Sequence, residues 1–184
     1  ALESYGAAAV GLTSDIFMCK KSKPELGLVG EIVQVNVPSI TQVLESGGIP
    51  VIAPIGKDSD DILNVNADLA TVELVKAMNP YKVIFLSETG GIFNQSNKLI
   101  ETINLVLEYE DLMHQDWLHS GMKLKLEQVK TLLDHLPKTS SVSITQPINL
   151  PQELFTDSGS GTLVKHGYRV NQFQSPNPEI QSQF

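Results

Sequence analysis

Pro50-Val51-Ile52-Ala53-Pro54-Ile55 and Lys82-Val83-Ile84-Phe85-Leu86 are the two stretches whose reading decides the fold. Each is short, apolar, rich in β-branched residues and bounded by glycine or proline, which predicts strands buried on both faces. Between them, Asp68 to Met78 sets Leu69, Val72, Val75 and Met78 at three-residue spacings, a helical stripe that Asn79-Pro80 stops. Ahead of the first stretch, Ser39 to Ser46 carries Ile40, Val43 and Leu44 on one helical face and ends at Gly47-Gly48, glycines suited to a C-cap. Strands alternating with helices predict the α/β class. A further helix is expected from about Met122 to Leu136, with Leu126, Val129, Leu132, Leu133 and Leu136 inward and Pro137 as its stop; Val142-Ser143-Ile144 is a weaker third strand. Ser87 to Asn97, with Gly90-Gly91, and the Gly/Ser-rich Thr156 to Thr162 read as loops, and loops at strand ends are where such sheets take ligands.

The composition narrows what this scaffold does. The 184 residues suit one ordinary globular domain, expected over 1–170, with the polar, proline-punctuated stretch 171–184 as a tail or linker. Thirteen basic against 21 acidic residues, a net charge of −8, oppose a nucleic-acid partner. No apolar run approaches the roughly 18 residues that span a bilayer, so a soluble intracellular chain with no membrane partner is expected. The single cysteine, Cys19, excludes an internal disulfide and makes a reducing compartment the default. The opening Ala1-Leu2-Glu3 offers no targeting signal and reads as the start of a fragment.

Several constellations carry chemistry, each with a plainer alternative. Asn64-Val65-Asn66-Ala67-Asp68 puts amides and a carboxylate where a loop enters a helix, a place that receives carboxylate or phosphate; equally, Asn66 or Asp68 simply caps that helix. It lacks the glycine and distal glutamate of a calcium loop. Gly121-Met122-Lys123-Leu124-Lys125 projects lysines from a helix entry, able to meet charge on a transferring phosphoryl group or merely to solvate a helix face. Ser87-Glu88-Thr89-Gly90-Gly91 lets backbone approach a nucleotide, yet it is neither a G-x-x-x-x-G-K-[ST] loop nor a G-x-G-x-x-G fingerprint. Glu153 to Thr162 sets carboxylates beside a flexible turn, suited to a guanidinium or ammonium ligand or to an ordinary surface turn. Asp157-Ser158-Gly159 has no nucleophile elbow. His114, His119, His135 and His166 lack metal-ligand spacing and read as solvent-exposed, and no metal site is expected.

In order, these segments resemble the amino acid kinase family, and within it the N-acetylglutamate kinase branch. The matching stretches are Gly6-Ala-Ala-Ala-Val-Gly11-Leu-Thr-Ser, Leu26-Gly-Leu-Val-Gly30-Glu-Ile-Val-Gln-Val-Asn36, Gly48-Ile-Pro-Val-Ile-Ala-Pro-Ile-Gly56, Leu63-Asn-Val-Asn-Ala-Asp68, Val83-Ile-Phe-Leu-Ser-Glu-Thr-Gly-Gly-Ile92, Gly121-Met-Lys-Leu-Lys125 and Glu153-Leu-Phe-Thr-Asp-Ser-Gly-Ser-Gly-Thr162. The stretch from Tyr109 through Trp117 to Pro137, with Ser140 to Ile144, is similar to the fungal mitochondrial form.

The resemblance implies a three-layer α/β/α sandwich with a mainly parallel sheet, and transfer of the γ-phosphoryl of ATP, carried with Mg2+, to the side-chain carboxylate of N-acetyl-L-glutamate in arginine biosynthesis. It implies that Asn64 and Asn66 bind substrate, that Asp68 orients the catalytic lysines and that Lys125 stabilises the phosphoryl in flight. Ser87, Glu88, Gly90, Gly91 and Lys125 would hold the nucleotide, although an aspartate is usual where Glu88 stands. Glu153, Gly159 and Gly161 fall in the allosteric L-arginine segment of arginine-inhibited members.

A homo-oligomer in the mitochondrion, associated with an N-acetylglutamate synthase, is the corresponding setting. The glycine pair, lysine and arginine with which members grip phosphates and substrate lie upstream of Ala1 in the family order. Arg169, the only arginine, cannot replace them, so the isolated chain is expected to be inactive. The rival readings are the arginine-sensing, kinase-like domain of an N-acetylglutamate synthase, which is an acetyltransferase, and a catalytically dead arginine-binding partner.

Overall fold

The computed structural model describes residues 2–156 and 159–168. Asp157, Ser158, Arg169 and the stretch 171–184 read as a tail lie outside the described residues. The chain divides into two compact units, Ala1–Pro80 and Tyr81–Phe184, each with its own core.

In the first unit, β1 (Ala9–Leu12) pairs in parallel with β4 (Ile49–Ile52). A second sheet, in the order β3-β2-β5-β6, combines β2 (Phe17–Lys21), β3 (Gly30–Val35), β5 (Ile55–Asp58) and β6 (Asp61–Asn64). The stretch Pro50–Ile55, expected as one buried strand, is therefore cut in two. Its first half belongs to one sheet and Ile55 begins a strand of the other, with Ala53-Pro54 as the corner. Nor is β4 buried on both faces: Ile49 and Val51 are 50% and 45% exposed, while Ile52 packs on the Phe17–Leu63 cluster. That alternation belongs to a strand with one covered face.

The helix α1 (Val37–Glu45) begins where the Asn36 side chain accepts the Ser39 N–H, and Gly47 with φ 78 turns the chain out of it. It buries Ile40 but leaves Leu44 exposed, contrary to the expected stripe. Helix α2 (Ala67–Met78) departs in the same way: Leu69 is 61% exposed, and the covered face is Ala70, Leu74, Val75 and Met78. Three residues fall about 60° short of a full helical turn, so a stripe at strict three-residue spacing swings to the opposite side within three steps. Asn79 in the left-handed region, followed by Pro80, ends α2 as expected.

The second unit is built on the sheet β7-β9-β10-β8, from β7 (Lys82–Leu86), β8 (Thr102–Asn104), β9 (Ser141–Thr145) and β10 (Thr162–Lys165). Here the expected weighting is reversed. Apolar β7 is an edge strand, half-buried with Leu86 exposed, whereas all five residues of β9, the weaker candidate, are buried between β7 and β10. Helix α4 (Ser120–His135) lays Met122, Leu126, Val129 and Leu133 against Val142, Ile144 and Val164, as its periodicity predicts. Helices α3 (Leu105–Met113) and α5 (Leu150–Phe155) complete the unit. Parallel pairing dominates, with β1–β4, β2–β5, β7–β9 and β8–β10 parallel and the rest antiparallel, so the α/β class stands. No helix among the described residues is long and apolar enough to cross a membrane.

Candidate functional site

Strand β7 runs into the turn Ser87-Glu88-Thr89-Gly90-Gly91, which is fixed by backbone and side chain together. Ser87 N–H donates to the Thr145 carbonyl at 2.8 Å, Gly90 N–H to the Ser87 carbonyl at 3.2 Å, and Gln146 Nε2 to the Glu88 carbonyl at 2.8 Å. The Ser87 and Thr89 hydroxyls share a hydrogen bond of 3.0 Å. Lys125, on α4, holds its Nζ 5.7 Å from the ring centroid of Phe85, two residues before the turn. The structure therefore brings Ser87, Glu88, Gly90, Gly91 and Lys125 to one end of β7.

Beside this turn lies a cleft of about 280 Å³ bordered by Thr89, Gly91, Phe93, Trp117, His119 and Met122. It meets the first turn of α4, whose N-cap residue His119 supplies no side-chain acceptor. A helix end of that kind favours an anion. Aromatic rings, backbone approached through glycine and a helix N-terminus together suit a planar ligand that carries phosphates.

At the other end of β7, Lys82 reaches Glu153 of α5. Its Nζ lies 3.0 Å from Glu153 Oε2 and donates also to the Glu153 carbonyl. The Glu153 carboxylate is buried, and its Oε1 accepts the N–H groups of Ser160 at 2.8 Å and Gly161 at 3.1 Å. Burial alone would raise this carboxyl's pKa, but the hydrogen bonds from Ser160, Lys82 and Gly161 outweigh it and hold the group below the usual carboxylate range. The Ser143 hydroxyl is near enough to add to that shift without a hydrogen bond of good geometry. Glu153, Gly159 and Gly161 are thus one cluster, and Lys82 is the member that sequence reading missed, since 71 residues separate it from its partner. A cleft of about 340 Å³ opens along Tyr81, Lys82, Glu153, Thr156 and Lys165.

Asn64, Asn66 and Asp68 lie in the first unit, where β6 gives way to α2, and all three are exposed. Asn66 is the N-cap of α2: its Oδ1 accepts the N–H groups of Asp68 at 2.9 Å and Leu69 at 3.1 Å. The capping alternative is realised for Asn66, whose oxygen is committed to the helix, while its amide nitrogen and the Asn64 side chain face solvent. Among the described residues, no group of three His, Cys, Asp or Glu side chains could hold a metal. His166, expected at the surface, is half-buried with its Nε2 3.9 Å from Asp134 Oδ1.

Residues 1–142 match the amino acid kinase family. Among curated proteins, the acetylglutamate kinase of Xanthomonas campestris is 51% identical over 172 residues, 92% of this chain and 40% of that protein. Protein arg-6, mitochondrial, of Neurospora crassa is 44% identical over 171 residues, 92% of this chain and 20% of that protein. The human N-acetylglutamate synthase, mitochondrial, is 33% identical over 182 residues, 95% of this chain and 33% of that protein. Among solved structures, the N-acetylglutamate synthase of Neisseria gonorrhoeae complexed with coenzyme A and N-acetyl-glutamate superposes with a TM-score of 0.75 at 18% identity, over 93% of this chain and 41% of that one. The chain thus spans about two-fifths of the length of the bacterial relative, and the identity is higher to that bacterial protein than to the fungal one.

Proposed function

Because this chain belongs to the amino acid kinase family, we propose that it is part of an acetylglutamate kinase, which moves the γ-phosphoryl of ATP onto the side-chain carboxylate of N-acetyl-L-glutamate. The observation that carries the reading is the end of β7, where the turn Ser87–Gly91 borders the cleft at the start of α4 through Thr89 and Gly91 and Lys125 lies over the Phe85 ring, in a chain 51% identical to such a kinase. Phosphoryl transfer needs little covalent assistance from protein, so positioned amides and cations are the expected equipment. In this reading the turn and cleft hold ATP, which arrives with Mg2+ on its phosphates as the substrate complex. Lys125 stabilises charge on the phosphoryl in flight. Asn64 and Asn66, in the segment that also carries Asp68, bind N-acetyl-L-glutamate. The active enzyme is the longer protein; the 184 residues alone are expected to consume no ATP.

Feedback inhibition by L-arginine belongs to the same proposal. Oε1 of Glu153 is committed to backbone, which leaves Oε2, shared with Lys82, as the oxygen that would meet a guanidinium entering the adjacent cleft. A homo-oligomer, association with an N-acetylglutamate synthase and a mitochondrial address complete the reading, the last supported by the fungal relative named mitochondrial.

The similarity to human N-acetylglutamate synthase favours a second reading, an arginine-sensing domain that does not phosphorylate. The presence of Asn64, Asp68 and Lys125 together favours the kinase, since a sensor has no use for the charge-handling set. Calorimetry on the full-length protein separates the two. A kinase takes up MgATP, N-acetyl-L-glutamate and L-arginine, whereas uptake of L-arginine alone would support the sensor and end the kinase reading.

A further inference from the structure

We propose that Thr162, the first residue of β10, is a positioning residue for the nucleotide turn, holding Gly90-Gly91-Ile92 from behind. The proposal rests on the reading of residues 87–91 as that turn. Thr162 is fully buried, and its Oγ1 accepts the N–H of Ile92 at 2.8 Å, the first backbone donor after the glycine pair. Gly91 approaches so closely that a Cβ there would stand 2.9 Å from that same oxygen. The neighbouring Gly161 is tighter still, because a Cβ would overlap the Ile144 carbonyl and lie 2.9 Å from the carbonyl of Gly90. Both ends of the nucleotide turn are therefore pinned, Ser87 from Thr145 in β9 and Ile92 from Thr162 in β10.

Behind this contact stand the groups already described. Ser160 Oγ and Thr145 Oγ1 share a hydrogen bond of 3.0 Å, and Glu153 Oε1 gathers the N–H groups of Ser160 and Gly161. Lys82, which grips Glu153, is the first residue of β7, the strand whose far end is the nucleotide turn. The chain of contacts closes on itself: Lys82, β7, the turn, Thr162 with Gly161, Glu153, and Lys82 again. A turn that presents backbone to phosphates works best when its shape exists before the ligand arrives. The Thr162 hydroxyl supplies that shape at a point no nucleotide need touch.

The test uses the full-length protein with Thr162→Val, which keeps the shape and deletes the acceptor, and Thr162→Ser, which restores it. Amide exchange at Ile92 should accelerate in the valine variant before any nucleotide is added. Its KM for ATP should rise about tenfold, the effect of stranding one buried donor, with the KM for N-acetyl-L-glutamate unchanged. Serine should bring both back to within about twofold of wild type. Unchanged Ile92 exchange in the valine variant overturns the proposal, as does accelerated exchange with an unaltered ATP KM. If Thr162→Val does not fold, wild type carries the test: exchange at Gly90, Gly91 and Ile92 must slow together on adding MgATP, and an unaffected Ile92 overturns the proposal. A wild-type protein that takes up no MgATP overturns the nucleotide reading itself, whatever Ile92 does.

Discussion

Lys82→Met removes the cation from a carboxylate that is 2% exposed, and its cost follows from the contacts. The lysine supplies a 3.0 Å ion pair to Glu153 Oε2 and a hydrogen bond to the Glu153 carbonyl, while Ser160 and Gly161 continue to hold Oε1. Breaking a buried pair costs about 3–5 kcal/mol because one charge stays behind. The lysine is 25% exposed and half of the carboxylate remains hydrogen-bonded, so the lower end applies, about 3 kcal/mol. Urea unfolding of the full-length protein should show it as a lower midpoint with an unchanged slope.

The pH dependence has a definite sign. Glu153 is held below its ordinary value of 4.5 in the folded state, so its ionised form contributes stability that is complete above the ordinary carboxylate range and is lost as pH falls through the folded value. The gap between wild type and Lys82→Met should be widest near neutrality and narrow on acidification below about pH 4.5. In a Glu153→Gln background the same substitution should cost under about 1 kcal/mol. Equal penalties in both backgrounds, or a gap indifferent to pH, would refute the coupling.

Lys125→Ala in the full-length protein should lower kcat by about a hundredfold or more while leaving the unfolding midpoint nearly unchanged, because the lysine is half-exposed and lies over the Phe85 ring; an unaltered kcat in steady-state assays would assign the phosphoryl charge to another group. Asn66→Ala should destabilise α2 by about 1 kcal/mol through loss of two N-cap hydrogen bonds, measured by denaturant unfolding, and Asn66→Asp, which keeps the acceptor, should restore most of it.

The parts legible in the sequence were those fixed by local rules. The α4 stripe, its stop at Pro137 and the end of α2 at Asn79-Pro80 needed only helical spacing and backbone sterics. Burial of strands was not local. Lys82–Leu86 is the more apolar sequence, yet it lies at a sheet edge, while Ser141–Thr145, with a hydroxyl at every second residue, is central between β7 and β10, its Thr145 hydroxyl bonded to that of Ser160. The corner at Ala53-Pro54 hid inside an apolar run, since proline at a strand boundary and proline within a buried stretch look alike in one dimension. In the site, the glycines and carboxylate at 153–161 stood out by type. Lys82 and Thr162 did not, because what marks them is a partner 70 or more residues away.

The central claim is that the end of β7, Lys125 included, serves phosphoryl transfer to a carboxylate. Phosphorus NMR of the full-length protein with MgATP and N-acetyl-L-glutamate tests it most directly. The account predicts an acyl-phosphate resonance growing in step with ADP, dependent on N-acetyl-L-glutamate and abolished by Lys125→Ala. ADP appearing without an acyl phosphate, or an acyl phosphate formed equally well without Lys125, would contradict it.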